Sequence, residues 1–477
     1  MLSLLREHRR FFLGIALAGL VLRLFFFVYF PAVTDDSRIY ADLATNWLRH
    51  GAYGTTQSGE IVPSDARLPG YPAFLAAIFA LFGAGNFRAV MLVQMVADLC
   101  TCLVLADLTR RTVSAGAARI AFVLTALCPF LANYSAAVLT ETLEVFFTTI
   151  ALDLAVAGVD RLDQGQTFWR NWAAAGAAIA VCILLRPDGG IVLVAAGLYL
   201  VVRLWKRNRE HRNIIPLVQA GILVGLFALA PLLPWTMRNV RTLHHFEPLA
   251  PRYATDVDEL APRGFNRWVA TWIVDYASVE EIYWSVPGDK IDPDKLPARA
   301  LEMPQRDATL ALIDDYNESH DLTPELDARF AQLAAERVRE HPIRYYVVLP
   351  ALRIADMWLR PRTELLPSDA RWWEFDDDPK GSAIAIVVGV LNLAYVLMAL
   401  LAMLGRSSAV RYAGLLLILV VLRSAFLGTI ENPEPRYTLE CYPVVILFAA
   451  GLLSDRRSHL RARLPESTVL PSQIMKA

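Results

Sequence analysis

The chain has 477 residues, of which 55% are hydrophobic and only 19% charged, too little charged surface for an ordinary soluble protein of this size. A formal net charge of -1 gives no electrostatic ground for nucleic acid as a partner, and a bilayer is the solvent that suits this composition. The five cysteines, Cys100, Cys102, Cys128, Cys182 and Cys441, lie in or beside apolar runs, with neither zinc-ligand spacing nor a secreted disulfide framework.

The N-terminus carries Arg6, Arg9 and Arg10 before the apolar run Phe11 to Phe30, which is long enough to span and lacks a small-residue cleavage site, so it reads as an uncleaved first helix. Further spans are predicted at 87–109, 117–133, 137–158, 172–185, 189–205, 214–236, 382–404, 409–428 and 438–454. Two apolar stretches, Pro69 to Gly83 and Ile343 to Leu359, are ambiguous. If both stay on the outer face, every basic short loop falls in the cytoplasm: Arg110, Arg111 and Arg119, then Arg203 to Arg212, Arg406 and Arg411, and the tail from Arg456. If both crossed, the loops between them would invert and break the positive-inside rule. The expected fold is therefore an all-α polytopic membrane protein of about ten spans, with half-inserted or interfacial helices outside and both termini in the cytoplasm. A bias of arginine over lysine suggests a GC-rich bacterial genome, and the expected location is the bacterial cytoplasmic (inner) membrane.

This topology divides the chain into an N-terminal membrane module (1–236) with its first external loop at 31–86, an extracytoplasmic segment (237–381), C-terminal spans (382–455) and a cytoplasmic tail (456–477). Within the external segment, Trp268, Trp272 and Tyr276 recur at helical spacing, which suits a helix lying along the membrane interface. Thr323-Pro324 reads as a helix start.

The chemistry-bearing residues gather on the outer face. Asp35 and Asp36 follow the first span, where paired carboxylates serve as a general base or simply cap a helix. Arg67, in Arg67-Leu68-Pro69-Gly70-Tyr71-Pro72, is held by a rigid turn at the membrane surface and is placed to fork onto a phosphate or to reach lipid headgroups. Arg186, Arg238 and Arg436 lie at the outer ends of apolar helices, where an unpaired cation is costly. A phosphate would offset that cost, as would a local acid: Asp188 for Arg186, Glu431 or Glu434 for Arg436. Tyr437 offers a hydroxyl or sits in the aromatic belt, and Glu141 stands near the outer start of a span. His50, His244 and His245 show no partner spacing for a metal or a catalytic dyad.

Taken in order, Asp35-Asp36, the Arg67 turn, Pro129 with Tyr134 and Thr140-Glu141, Arg186-Pro187, Pro234-Trp235 with Arg238-Asn239, and Glu434-Pro435-Arg436-Tyr437 resemble the GT-C superfamily of membrane glycosyltransferases. The likeness is to bacterial relatives of the dolichyl-phosphate-mannose:protein mannosyltransferases and of the aminoarabinose lipid A transferase. It implies transfer of a hexosyl or pentosyl group from a polyprenyl-phosphate-linked sugar to an extracytoplasmic lipid, glycan or protein by inverting displacement. Asp35 and Asp36 match the acidic position that acts as base or positions the acceptor. Arg67, Arg186, Arg238, Arg436 and Tyr437 become donor-phosphate contacts. Glu141 becomes an acceptor contact or, with Asp35 or Asp36, a ligand for a divalent cation, which is left open as a cofactor. The chain departs from the aminoarabinose transferases in having Asp-Asp rather than Asp-Glu, and Ile39 between Arg38 and Tyr40.

Two other readings remain at this stage. Intramembrane arginines and carboxylates also mark transporters or lipid flippases, although here they cluster at one face. A non-catalytic scaffold would tolerate Asp35→Asn and Asp36→Asn.

Overall fold

The computed structural model describes residues 1–253, 260–406 and 410–463; the end of the expected tail, 464–477, lies outside the described residues. A short helix α1 (Leu2–Glu7) leads into α2 (Arg9–Tyr29), and the segment after it folds as α3 (Asp35–His50), a hairpin of β1 (Gly54–Gln57) and β2 (Glu60–Pro63), and α4 (Gly70–Phe82). The membrane module continues with α5 (Phe87–Thr112), α6 (Ala115–Ala126), α7 (Pro129–Tyr134), α8 (Glu141–Asp163), α9 (Trp169–Leu185), α10 (Gly190–Arg209), α11 (Ile215–Leu229) and α12 (Leu232–Thr242). Residues 260–359 supply α13 (Arg263–Val269), α14 (Tyr276–Ser278), α15 (Arg306–Ser319), α16 (Pro324–Glu340) and α17 (Leu349–Leu359). Three long elements close the chain: α18 (Pro379–Arg406), α19 (Ala413–Gly428) and α20 (Tyr442–Arg463).

Among the described residues 7 helices are long and apolar enough to cross a membrane, and α4, α6, α9 and α19 are shorter apolar helices. With 13 residues, α4 reaches about 20 Å, less than the ~30 Å of a hydrocarbon core. The chain is thus a multi-pass membrane protein. Its main core forms where α8 packs on α5 and α9, with α20 threaded against α6 and α18. From Tyr442 to Ala450 every side chain of α20 is buried, the signature of a helix enclosed on all sides by protein. By contrast α2, α10 and α11 keep exposed apolar faces such as Leu17, Val21, Val201 and Ile222, as lipid-facing helices must.

Residues 263–340 form more than a strip on the interface. Phe265, Trp268, Trp272, Ile313, Tyr316 and Phe330 form a second core, all with 0–1% exposure. The helical spacing of Trp268, Trp272 and Tyr276 therefore marks a buried seam rather than the interfacial stripe expected, and the backbone breaks between α13 and α14 along it. Asp327 in α16 accepts from the backbone N–H of Gly264 and Phe265, both at 2.9 Å, tying α13 to α16. As expected, α16 starts at Thr323-Pro324, with the Thr323 hydroxyl accepting from Leu326 N–H at 3.2 Å.

Among the described residues the two-stranded hairpin departs from an all-helical reading. Gln57 pairs with Glu60 across Ser58-Gly59, both of which have positive φ, the conformation of a two-residue hairpin turn. Asp42 of α3 accepts from Thr56 N–H at 2.6 Å, and Asn46 donates to the Gly54 carbonyl at 3.0 Å. The hairpin is thereby fixed on the helix that carries Asp35 and Asp36.

Candidate active site

Thr34 and Ser37 form a reciprocal capping box at the start of α3, so neither aspartate is needed as the cap. The two acids separate. Asp35 points to solvent and pairs with Arg38 at 2.7 Å, its side chain 93% exposed. Asp36 turns inward, accepts from Arg67 Nη2 at 2.9 Å, and lies 3.7 Å from Arg436 Nη2. Burial by itself pushes the Asp36 carboxyl up, but Arg67 and Arg436, with Arg186 behind them, outweigh it and hold the group below the usual carboxylate range.

Each arginine is positioned by its own element. Arg67 precedes α4, whose first residue, Gly70, is pressed against α9: a Cβ there would meet the Leu184 carbonyl oxygen at 2.5 Å. Tyr53 donates to the Arg67 carbonyl at 2.8 Å, fixing the other side of the turn. Arg436 lies in the 3-10 turn Pro435–Cys441 before α20, 2.6 Å from Glu434 and 3.7 Å from Glu141. Arg186 ends α9 and contacts Asp188 at 3.1 Å, Glu141 at 3.4 Å and Glu144 at 3.5 Å. Its guanidinium lies over the Tyr437 ring, 4.8 Å from the centroid. Tyr437 is buried and donates to Glu434, which removes it from the aromatic belt.

Arg238 stands apart. It donates to the backbone carbonyls of Ser64 and Tyr53 and lines a different cavity with Trp47, Tyr53 and Trp235. Its work is to hold the hairpin loop to α12, not to face the group around Asp36. His245 pairs with Asp65 at 2.7 Å, and among the described residues no His lines the cavities at Asp36.

Several residues of the site carried no sequence signal strong enough to single them out. Arg423, fully inside the apolar run of α19, bridges Asp188 and Glu440 at 2.9 Å each. Glu144 sits one helical turn after Glu141, on the same face of α8. An intramembrane arginine and an i,i+3 acid pair were the available clues. Around Asp36, four arginines (67, 186, 423 and 436) thus meet six carboxylates (Asp36, Glu141, Glu144, Asp188, Glu434 and Glu440). The site is a lattice of alternating charge, which is how buried ions avoid the cost of isolation.

Two cavities meet at Asp36, Leu139 and Arg436. The first, about 460 Å³, is faced by Arg67, Arg186, Arg252 and Arg436. The second, about 500 Å³, is faced by Asp35, Glu280, Glu364 and Glu434 with Tyr134 and Trp284. The Tyr134 hydroxyl and both Glu364 oxygens have no hydrogen-bond partner among the described residues, and burial pushes the Glu364 carboxyl up despite Arg362 nearby. In the first cavity these four arginines face Asp36, Glu141 and Asp188, whereas in the second Arg436 faces five carboxylates.

The acids do not fit a divalent-cation site. The Arg436 guanidinium stands between Asp36 and Glu141, where a cation shared by them would have to sit, and the described residues hold no cluster of three His, Cys, Asp or Glu ligands.

Solved structures of similar shape exist. The oligosaccharyltransferase AglB from Archaeoglobus fulgidus, in complex with an inhibitory peptide and a dolichol-phosphate, matches over 99% of this chain and 53% of its own, with TM-score 0.54 and 11% identity. The chain has the GT-C fold. The apo form of the Archaeoglobus fulgidus oligosaccharyltransferase matches 94% of the chain and 51% of its own, with TM-score 0.51 and 15% identity. The chain thus spans about half the length of these two solved structures. ArnT from Cupriavidus metallidurans aligns over 92% of this chain and 77% of its own at TM-score 0.35 and 15% identity. A family profile described as dolichyl-phosphate-mannose-protein mannosyltransferase matches residues 64–235, a stretch that holds Arg67, Glu141 and Arg186. No curated protein sequence matches the chain.

Proposed function

We propose that the protein is a glycosyltransferase that moves a hexosyl or pentosyl group from a polyprenyl-phosphate-linked sugar to an acceptor on the outer face of a bacterial cytoplasmic membrane, with both termini inside. The observation that carries this reading is the placement of Asp36 between an arginine-faced and an acid-faced cavity. The AglB structure, whose fold this chain shares, holds a dolichol-phosphate.

In this reading the donor phosphate occupies the first cavity. Arg67, Arg186 and Arg436 keep N–H donors to spare after meeting their carboxylates, because a guanidinium has five. The acceptor, an envelope lipid, glycan or protein hydroxyl, arrives through the second cavity past Asp35 and Glu364. Its oxygen attacks the anomeric carbon, the carbon–oxygen bond to phosphate breaks with inversion, and the acceptor proton passes to Asp36. Phosphate is a competent leaving group, so placement and charge neutralisation supply most of the catalysis. The arginines also set the base. A bound phosphate draws Arg67 and Arg436 toward itself, and Asp36, relieved of part of that positive field, becomes more basic as the donor is loaded.

The test is mass spectrometry of envelope glycolipids and glycans from cells with and without the gene. Wild type restores a missing sugar; Asp36→Asn lowers its formation about 100-fold or more, in the range expected for a lost base. Asp35→Asn, altering an exposed group at the acceptor mouth, costs only a few-fold. Unchanged glycans with substrate accumulating on one side of the membrane would replace this reading with transport.

A further inference from the structure

We infer that the fold carries a second binding site, for the phosphodiester headgroup of an anionic phospholipid, at the end of the membrane module opposite Asp36. Two helices lead from one site to the other. The helix α8 begins with Glu141 among the site arginines and ends at Asp163, 23 residues on; α10 begins beside Asp188 and runs 20 residues to Arg209. At 1.5 Å per residue each covers about 30 Å or more, a bilayer's hydrocarbon thickness.

At that far end a cavity of about 860 Å³ opens between α8, α10 and α19. Arg203, Lys206, Arg207 and Arg212 face it, against only Asp163 and Glu210. Arg203 and Arg207 share the single carboxylate of Asp163, Arg212 meets Glu210 at 3.4 Å, and exposed Lys206 has no carboxylate partner among the described residues. Two positive charges are therefore left over. The contrast with the Asp36 site is direct: there carboxylates outnumber arginines, here cations outnumber acids.

The remaining walls say that the anion is attached to hydrocarbon. Leu162, Val202 and Ile418 line the same cavity, and α10 continues outward from it with exposed Val194, Leu198 and Val201. A free phosphate has no use for that surface, whereas an acyl chain lying along α10 covers it. Trp205, 56% exposed with Arg209 over its ring at 4.8 Å, marks the headgroup level at which such a chain would end. Basic pockets between spanning helices are a recognised way of holding anionic lipid headgroups.

The experiment uses the full chain, delipidated and reconstituted in vesicles of equal phosphatidylglycerol and phosphatidylcholine, with retained lipid counted by native mass spectrometry. Phosphatidylglycerol is expected in roughly tenfold excess over phosphatidylcholine, and the K206Q/R207Q double variant should hold the two equally. Asp163→Asn, which frees Arg203 and Arg207 without removing a cation, should keep or increase the excess, so a loss in the double variant caused only by poor folding is recognised. Displacement by inorganic phosphate alone, with no preference between the lipids, would assign the pocket to a soluble anion and overturn the proposal. Equal retention of both lipids by wild type would also overturn it. None of these residues touches the Asp36 site, so the result is independent of whether sugar transfer is observed.

Discussion

At Asp36 a single carboxylate answers to two arginines from distant parts of the chain, and the consequence is a defined pH dependence. Its folded pKa is depressed, so the stability it contributes is fully present above the unfolded value of about 3.9 and is lost as pH falls through the folded value. Thermal unfolding of wild type should therefore be insensitive to this group from about pH 5 to 8 and weaken below about pH 4. Asp36→Asn should show a smaller acid-side decline, and an identical decline in both proteins would mean that the Arg67 and Arg436 contacts contribute nothing. The same pairing explains why adjacency in sequence misleads here: Asp35 and Asp36 are neighbours, yet on a helix successive side chains point about 100° apart. One meets water and the other meets the arginines.

At the scale of elements, the turn before α4 and the small outer core show how local geometry is enforced. Gly70→Ala places a methyl group 2.5 Å from the Leu184 carbonyl oxygen and 2.6 Å from its carbon. Both are backbone atoms of α9 that cannot move aside. We expect a loss of about 1–3 kcal/mol by overpacking and displacement of Arg67, read as weakened donor binding alongside a lowered unfolding midpoint. Trp268 and Trp272 each have 0% exposure in the outer core. Trp268→Ala should cost about 3–5 kcal/mol, measured as early proteolysis across residues 263–340 while the membrane helices stay protected. An interfacial tryptophan would cost far less and leave cleavage unchanged.

For the molecule as a whole, α2 is locked to the bundle through Arg23. Its Nε donates to Asp98 at 2.7 Å, and Nη1 donates to the carbonyls of Gly19 and Ala126 at 2.9 and 2.7 Å. Both charged partners are buried, at 0% and 2% exposure. Removing one leaves the other uncompensated, so Arg23→Leu should destabilise by about 3–5 kcal/mol in a mild-to-denaturing detergent titration, and Arg23→Leu with Asp98→Leu should recover much of it. Equal stability of single and double variants would show that water or lipid reaches the pair.

Membrane insertion, the helical class and the order of the weak motifs were legible in the sequence, because a bilayer imposes span length and loop charge locally, residue by residue. Arg67, Arg186, Arg436 and Glu141 stood out for the same reason, as ions at helix ends in an apolar chain, and they line one cavity. What only the tertiary structure decided is which of these ions face one another. Arg238 leaves the group because the β1–β2 hairpin supplies carbonyls for it, and Arg423 joins because α19 packs beside the Pro435–Cys441 turn. The aromatic spacing of 268–276 fitted an interfacial helix as well as a buried seam, and the presence of α16 across from it settled the matter. Sequence fixes the solvent each segment must meet; contacts between residues hundreds of positions apart depend on helix packing, which leaves no local pattern to read.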